Sequence, residues 1–282
     1  MKKLFVFAFC LLALGCASNE ATPPPAAPTS APAPVGFPQT LSEAVANPLR
    51  TPKNRDRDGA RHPAETLAFF GIKPEMTVVE IWPSSGWYTE ILAPYLATKG
   101  QYIAATRSEN DHGENTSLQA WLETHPEIKP HVKMPQFNPP DSLDLAATGS
   151  VDMILTFRNV HNWMKKNGEK LAFQAFFTAL KPGGILGVVE HRANPKSKND
   201  QNGERGYLPE KIVIALARQA GFILADQSEI NANPRDKKNY PDAVWDLPPS
   251  LKQGDKNRDR YLAIGESDRM TLKFLKPIVV NP

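Results

Sequence analysis

Apolar runs of a few residues alternate with amphipathic stretches along most of the chain. The clearest case begins at Met76. An apolar run to Ile81 carries Glu80, stops at the short loop 82–86, and gives way to helical spacing over 88–92. Strand, tight loop and helix is the order of a nucleotide-binding βα unit, in which backbone N–H groups and a helix N-terminus lie beside a ligand. The pattern predicts a doubly wound α/β fold organised around this loop.

The same alternation predicts further elements on both sides of this unit. Apolar runs bounded by turn residues are typical of buried strands, and helical spacing of apolar residues is typical of amphipathic helices. Pro63 and Gly71 mark the start and the end of one helix, and we interpret the charged run 54–61 as an exposed linker. The predicted strands are 76–81, 101–106, 132–137, 150–157, 185–191, 222–224 and 270–275, and further helices are expected at 41–47, 118–125, 169–180 and 208–220.

The first 39 residues have the composition of an export signal and a linker. A basic start followed by a short apolar run predicts a signal peptide over residues 1–15. Cys16 stands in a sequence that resembles a bacterial lipobox, which implies lipid attachment at this cysteine and a place on the periplasmic face of the outer membrane. A signal peptide cleaved near Ala17 without a lipid is the alternative. Residues 16–39 are rich in Pro and Ala and predict an extended tether, so the folded domain is expected to span 40–282.

Composition supports one domain and excludes some partners. The chain has 282 residues, 41% of them hydrophobic, which is enough for one sizeable α/β domain. Basic residues number 33 and acidic ones 30, and two of the lysines lie in the predicted leader. The mature chain is therefore near neutral, and no nucleic-acid partner is expected. Both cysteines precede the folded domain, so no disulfide is predicted there.

Motifs for other chemistries are missing from the sequence. The six histidines lack zinc-ligand spacing, and neither a Gly-x-Ser-x-Gly elbow nor a phosphate loop occurs. Acidic and amide residues between Asp255 and Glu266 match a calcium loop in part, but Arg260 stands where the turn requires glycine. We interpret that match as a coincidence, expect a strand after it, and predict no metal site.

Polar residues follow the fourth and fifth predicted strands. In an open parallel sheet, ligands bind in the crevice at the carboxyl ends of the strands. Arg158, Asn159 and His161 follow the fourth strand, and His191 ends the fifth beside Glu190. These side chains are candidates to bind or deprotonate a substrate. The alternative is that they cap and pack the neighbouring elements.

The loop after the first strand resembles motif I of the class I S-adenosylmethionine (SAM) methyltransferases, in which an acidic residue precedes Gly-x-Gly-x-Gly. Glu80 takes the acidic place and Gly86 the third glycine, whereas Trp82 and Ser84 stand at the first two. The turn Leu180–Gly184 likewise resembles the Leu-x-Pro-Gly-Gly turn of that family. Several further pieces are similar to exported bacterial proteins known as predicted methyltransferases. The resemblance implies a Rossmann-like, seven-stranded, mostly parallel sheet with an antiparallel last strand.

The resemblance also implies a site for SAM as cofactor. The acidic residue and the loop would hold the methionine part, and Tyr88 would offer an aromatic face to the sulfonium. Trp82 reshapes the pocket or fills it, because glycine is used there to bring the backbone close to the ligand. Thr106 stands in place of the usual ribose-binding acid, and Asn138 falls near the adenine edge. The implied cofactor-binding residues are Glu80, Trp82, Ser84, Gly86, Tyr88, Thr106 and Asn138.

Three hypotheses of function follow. The leading one is a SAM-dependent methyltransferase that acts on a small molecule in the cell envelope and reaches the membrane through its N-terminal lipid anchor. The second is a non-catalytic ligand-binding lipoprotein built on a degenerate methyltransferase scaffold. It is favoured by the two replaced glycines, the missing ribose acid and the address outside the cytoplasm. The third is an enzyme of other chemistry that uses His161, His191 and Glu190.

Overall fold

The computed structural model describes residues 36–107, 114–198 and 200–278. Residues from Phe37 onward form one compact unit. The predictions of a signal peptide, of lipid attachment at Cys16 and of most of the linker lie outside the described residues. Within the described ranges, no helix combines the length and the apolarity needed to cross a bilayer.

Seven strands of the described chain form one mixed sheet in the order β3-β2-β1-β4-β5-β7-β6. Strands β1 to β5 pair in parallel, and β7 runs antiparallel to both of its neighbours, β5 and β6. The predicted seven-stranded, mostly parallel sheet with an antiparallel last strand is therefore confirmed. The strands are β1 (Thr77–Ile81), β2 (Gln101–Ala105), β3 (Val132–Lys133), β4 (Val151–Phe157), β5 (Leu180–His191), β6 (Ile223–Ser228) and β7 (Arg269–Leu275).

Helices connect the strands and flank the sheet. The α-helices are α1 (Leu41–Val45), α2 (Pro52–Arg55), α3 (Asp58–Arg61), α4 (Pro63–Phe70), α5 (Thr89–Leu96), α6 (Glu114–Glu123), α7 (Val160–Lys165), α8 (Glu169–Ala179), α9 (Glu210–Gln219) and α10 (Arg258–Ile264). Short 3₁₀ turns occur at Lys129–His131 and Ala243–Asp246. The last of these lies in the long segment between β6 and α10.

Local sequence explains where the early helices begin and end. The Thr40 hydroxyl accepts from the Glu43 amide, and the Glu43 carboxylate accepts from the Thr40 amide, so α1 begins with a complete capping box. Pro63 opens α4, and Gly71 closes it at a φ of 83°, in the left-handed region where glycine carries no Cβ penalty. Both predicted boundaries of α4 are confirmed.

The structure corrects two predictions of local structure and confirms a third. The charged run 54–61 is not an exposed linker, because it contains parts of α2 and α3 and because the Arg61 side chain is buried. The third strand is limited to Val132–Lys133, after which a single bridge joins Thr106 to Gln136. The helix α10 lies within the calcium-like pattern 255–266, and the strand expected after that pattern is β7, which confirms this prediction.

Two hydrophobic cores cover the two faces of the sheet. Alternate residues of β1 divide between them, since Val79 and Ile81 belong to one core and Val78 to the other. Side chains of α8 and α9 fill the first core, while those of α4, α5 and α6 fill the second. Helices on both faces define the doubly wound arrangement that the sequence predicts.

Gly187 of β5 marks a close approach between the sheet and α4. A Cβ at this position would lie 2.8 Å from a Leu155 methyl and 2.9 Å from the Phe70 ring. We expect Gly187→Ala to lower the free energy of unfolding by about 1–3 kcal/mol, because overpacking displaces the ring. Gly59→Ala in α3 is the matched control, since its Cβ would meet nothing within 4 Å. Urea unfolding measures both, and equal stabilities would contradict this packing.

Candidate functional site

A cavity of about 310 Å³ opens at the carboxyl ends of β1, β4 and β5. This is the edge at which a doubly wound sheet binds its ligands. The segment after the 3₁₀ turn Ala243–Asp246, with Pro248 and Pro249, forms the opposite wall. Eight of the eleven residues that the sequence nominates for the site line this cavity: Glu80, Trp82, Ser84, Tyr88, Arg158, Asn159, His161 and His191.

The loop after β1 keeps a glycine-type backbone without its first two glycines. Trp82, Ser84 and Gly86 have φ values of 51°, 56° and 87°. Side-chain-bearing residues rarely adopt this left-handed region, because each instance costs of order 1–3 kcal/mol and persists only where the surroundings impose it. The three positions are those at which the motif places glycine. The loop therefore has side chains at two of the three glycine positions of the motif, Trp82 and Ser84, but its backbone is left-handed at all three.

The Trp82 indole is buried between the ends of β1, β2 and β3. Its Nε1–H donates to the Phe137 carbonyl at 2.6 Å. The Arg107 guanidinium lies 4.0 Å from the ring centroid on one face, and Trp163 makes an edge contact at 5.6 Å. A flat heterocycle stacked under a cation and bonded to a backbone carbonyl occupies this hollow. The side chain is thus both a wall of the cavity and the filling of its β2–β3 side.

Glu80 is the acidic residue of the loop, and it is 3% exposed. Tyr102 donates to Oε2 at 2.6 Å, and Thr89 donates to the same oxygen at 3.3 Å. Oε1 has no hydrogen-bond partner among the described residues. Burial raises the pKa of Glu80 to about 7, against the lowering effect of the bonds from Tyr102 and Thr89. A cationic group that reached Oε1 would shift this carboxyl to its ionised form.

The raised pKa of Glu80 makes stability dependent on pH. Below the ordinary value of 4.5 the carboxyl is protonated in both the folded and the unfolded chain, and its contribution to stability is lost as the pH rises through about 7. Glu80→Gln removes this ionisation. We expect the unfolding free energy of the variant, relative to wild type, to rise by about 3 kcal/mol from pH 4.5 to pH 8. Urea titrations across that range would contradict this if the difference stayed constant.

The turn after β4 contains a structural residue, Asn159, and a candidate base, His161. The Asn159 side chain donates to the Ile81 carbonyl at 2.8 Å, which ties the end of β1 to that of β4. The His161 Nδ1 lies 3.0 Å from an oxygen of the fully buried Glu190 carboxyl. An ionised Glu190 would accept a hydrogen bond from the Nδ1–H of His161, which leaves Nε2 of His161 free of a proton and able to accept one. The pair therefore has the arrangement of a general base and its orienting carboxylate.

The surroundings of His191 favour the neutral form of its imidazole. Its Nδ1 lies 2.6 Å from the Ser267 hydroxyl, and its ring centroid lies 5.6 Å from that of His161. Burial lowers the pKa of His191 well below its ordinary value, and the nearby charges of His161 and Arg158 act in the same direction. The two imidazoles at this edge of the sheet therefore differ in role, since only His161 has a carboxylate partner.

An arginine cluster around Glu266 forms the floor of the cavity. Arg57 lies 2.7 Å from the carboxylate, and Arg61 and Arg269 each lie 3.1 Å from it. Burial opposes ionisation, but the charges of Arg61, Arg269 and Arg57 lower the pKa of Glu266 to about 2. In the sequence, Arg61 falls in the predicted linker and Glu266 in the calcium-like pattern, so neither was expected at the site. The run 265–269 did contain a signal for Glu266, because charged residues directly before an apolar strand enter the core only when they are paired.

Loss of the Glu266 charge leaves three guanidinium groups without their common carboxylate. We expect Glu266→Gln to lower the unfolding free energy by about 3–5 kcal/mol, because breaking a buried ion pair leaves uncompensated charge. Glu229→Gln is the matched control, since Glu229 pairs with Arg192 but is 68% exposed, and its loss should cost less than about 1 kcal/mol. Denaturant titrations at pH 7 compare the two, and similar losses would refute a central role for Glu266.

Three nominated residues do not line the cavity. Gly86 ends the loop and faces α6, where a Cβ would meet a Leu118 methyl at 3.0 Å. Thr106 is buried, and its amide donates to the Pro135 carbonyl. Asn138 pairs its backbone with Ser142, and its buried Oδ1 has no hydrogen-bond partner in the described part of the chain. Their assignment to cofactor binding stays a prediction.

Comparison with known proteins gives the fold a family context. No family model matches the sequence, and no curated protein sequence matches it. Among solved structures, the chain is similar to a SAM-dependent methyltransferase from Aquifex aeolicus, with a TM-score of 0.55, 15% identity, and 84% of this chain and 98% of that one covered. It is also similar to the StiE O-methyltransferase region, with a TM-score of 0.55, 15% identity, and coverages of 88% and 85%.

A third solved structure with this fold has a different activity. The 4+2 cyclase SpnF is similar with a TM-score of 0.57 and 14% identity over 86% of this chain and 99% of that one. The neighbours establish the Rossmann-like class I methyltransferase fold for this chain. They do not establish its reaction, because one fold carries several chemistries.

The two halves of SAM find different surroundings in the cavity. Glu80 presents a carboxylate oxygen for an ammonium group, and Tyr88 and Trp87 supply aromatic walls beside it. The amino-acid half therefore fits the residues present. On the side of the adenine, the Trp82 ring already fills the hollow between Arg107 and Phe137. The adenosine half does not fit that hollow while the ring stays in place.

Proposed function

We propose that this chain is a SAM-dependent methyltransferase that acts on a small molecule in the cell envelope. One observation carries the proposal: the loop after β1 is left-handed at positions 82, 84 and 86, although two of these residues bear side chains. Such backbone strain persists where the surroundings impose it, and it clusters at ligand sites. The fold of the neighbouring methyltransferase structures and the buried acid at position 80 support the same proposal.

Five of the residues that line the cavity have a stated role in this proposal, and Glu190 acts through one of them. Glu80 binds the ammonium of the cofactor through Oε1, and Tyr88 and Trp87 form the wall beside the sulfonium. When bound, SAM supplies an electrophilic methyl group, and the protein contributes chiefly placement. Arg158 orients the acceptor, and His161 takes up a proton at Nε2 while Glu190 holds its Nδ1.

The cellular location belongs to the proposal as well. The basic and apolar start of the sequence and the lipobox-like Cys16 support export and attachment to the outer membrane. A lipid anchor of this kind would place the cavity in the periplasm, where its acceptor would be a small molecule of that compartment.

A second candidate function is favoured by Trp82. Its indole supplies the flat ring, the stacking face and the N–H donor in the hollow beside Phe137. A chain that fills this hollow itself is suited to bind a smaller ligand without the cofactor. The second candidate is therefore a non-catalytic binding protein of the cell envelope on a methyltransferase scaffold.

Calorimetric titration with SAM and S-adenosylhomocysteine distinguishes the two candidates. The methyltransferase proposal expects wild-type protein to bind S-adenosylhomocysteine in a one-to-one complex. Glu80→Gln should weaken that binding by about tenfold or more, because the ammonium loses its charged partner. Methylthioadenosine lacks the amino-acid part and serves as the matched ligand, because Glu80→Gln should leave its affinity, whatever its size, unchanged.

Trp82→Gly provides the decisive comparison. The substitution opens the hollow and suits the left-handed backbone, since glycine adopts positive φ without a steric penalty. Binding of S-adenosylhomocysteine by the variant but not by the wild type would support the binding-protein candidate and end the methyltransferase proposal. Binding by the wild type at the same site supports the proposal.

A further inference from the structure

The cavity floor contains more positive than negative charge. Four guanidinium groups act on the Glu266 carboxylate, those of Arg57, Arg61, Arg158 and Arg269. The other carboxyl groups that act on Arg158 belong to Glu190, which pairs with His161, and to Glu80. Asp268 also acts on Arg269, but it is paired with two further cations, Arg192 and Lys238. The four cations of the cluster therefore face three acids, of which Glu80 is partly protonated near neutral pH. An excess of at least one positive charge lies in a largely buried region.

Arg158 is the unpaired member of this cluster. Its amide donates to the Val189 carbonyl at 2.7 Å, at the end of the β4–β5 ladder, and its backbone has a φ of 63° in the left-handed region. The side chain lines the cavity. It makes no hydrogen bond or ion pair within the part of the chain that the structure describes. Burial lowers its pKa to about 10, so the group stays charged at neutral pH.

Arg61 adds a second unfilled donor on the same wall. The residue is 4% exposed, and its Nε donates to Glu266. Its Nη2 is buried and has no hydrogen-bond partner among the residues that the structure describes. Orphaned donors of a buried charged group are costly, and natural structures satisfy them with a partner or a ligand. Arg61 and Arg158 both line the cavity described above.

We propose that Arg158, with Arg61 beside it, binds an oxyanion group of the methyl acceptor, so that the substrate class is an anionic small molecule. The role of this ligand as methyl acceptor rests on the proposed function, whereas its negative charge is inferred from the positive charge of the cavity. A planar guanidinium fork matches the oxygens of a carboxylate or phosphate. The aromatic and proline walls, among them Trp245 and Pro248, suit the remaining apolar body of the substrate.

Inorganic phosphate is the probe, titrated calorimetrically into the full chain at constant ionic strength with chloride as the balancing anion. We expect wild-type protein to bind it, and Arg158→Met to weaken the binding about tenfold to a hundredfold, as for loss of a charge-assisted contact. Arg158→Lys should retain part of the affinity. Arg218→Met, an exposed arginine of α9, is the control for the loss of one positive charge. Equal phosphate affinity in Arg158→Met and wild type would overturn the proposal.

A second readout separates binding from misfolding. Removing an unpaired cation from beside three others relieves repulsion, so Arg158→Met should melt at or above the wild-type temperature without phosphate. If Arg158→Met melts at or above the wild-type temperature and still binds phosphate with wild-type affinity, the assignment is overturned. Phosphate should raise the melting temperature of wild type and leave that of Arg158→Met unchanged.

The amino-acid carboxylate of SAM is the other possible source of the oxyanion. If saturating S-adenosylhomocysteine abolishes phosphate binding whereas methylthioadenosine leaves it intact, Arg158 serves the cofactor and the assignment to the acceptor is overturned. Phosphate binding that persists beside S-adenosylhomocysteine supports it. If the chain binds no S-adenosylhomocysteine but keeps Arg158-dependent phosphate binding, the proposed function fails while the oxyanion site stands.

Discussion

The ion cluster around Glu266 holds together parts of the chain that are far apart in sequence. Glu266 lies directly before β7, while Arg57 and Arg61 lie in the region of α2 and α3, more than two hundred residues earlier. A single buried carboxylate thus fixes the early helices against the antiparallel end of the sheet. Buried ion pairs gain less stability than their Coulomb attraction implies, because both charges must be removed from water. Their value lies in specifying one arrangement, and here that arrangement forms the cavity floor.

The parallel sheet determines where the chemistry is collected. Because β1, β4 and β5 are parallel neighbours, the residues that follow them meet at one edge although they lie far apart along the chain. Glu80, Arg158 and His191 reach the same cavity for this reason. Helices on both faces bury the central strands β1 and β4, so the strand ends are the natural place for polar side chains to face a ligand.

Much of the fold could be predicted from the sequence, because burial on both faces leaves continuous apolar runs that identify the strands. The capping residues of α1 and α4 fixed helix ends through local hydrogen bonding. The position of Arg61 could not be predicted in the same way, since a charged run usually faces solvent and only its distant partner Glu266 allows burial. Likewise, the loop residues were identified from their spacing, but the direction of the Trp82 ring depends on Phe137, Arg107 and Trp163, which are remote in sequence.

The indole at position 82 acts as a tethered competitor for its own hollow. A ring attached to the loop is present at an effective concentration far above that of any free metabolite, and it loses little freedom on docking. The apparent affinity for a flat ligand on that side is then the intrinsic affinity reduced by the fraction of chains with the ring displaced. A protein built in this way selects against weak, adventitious heterocycles and admits only ligands whose remaining contacts outweigh the cost of moving the indole.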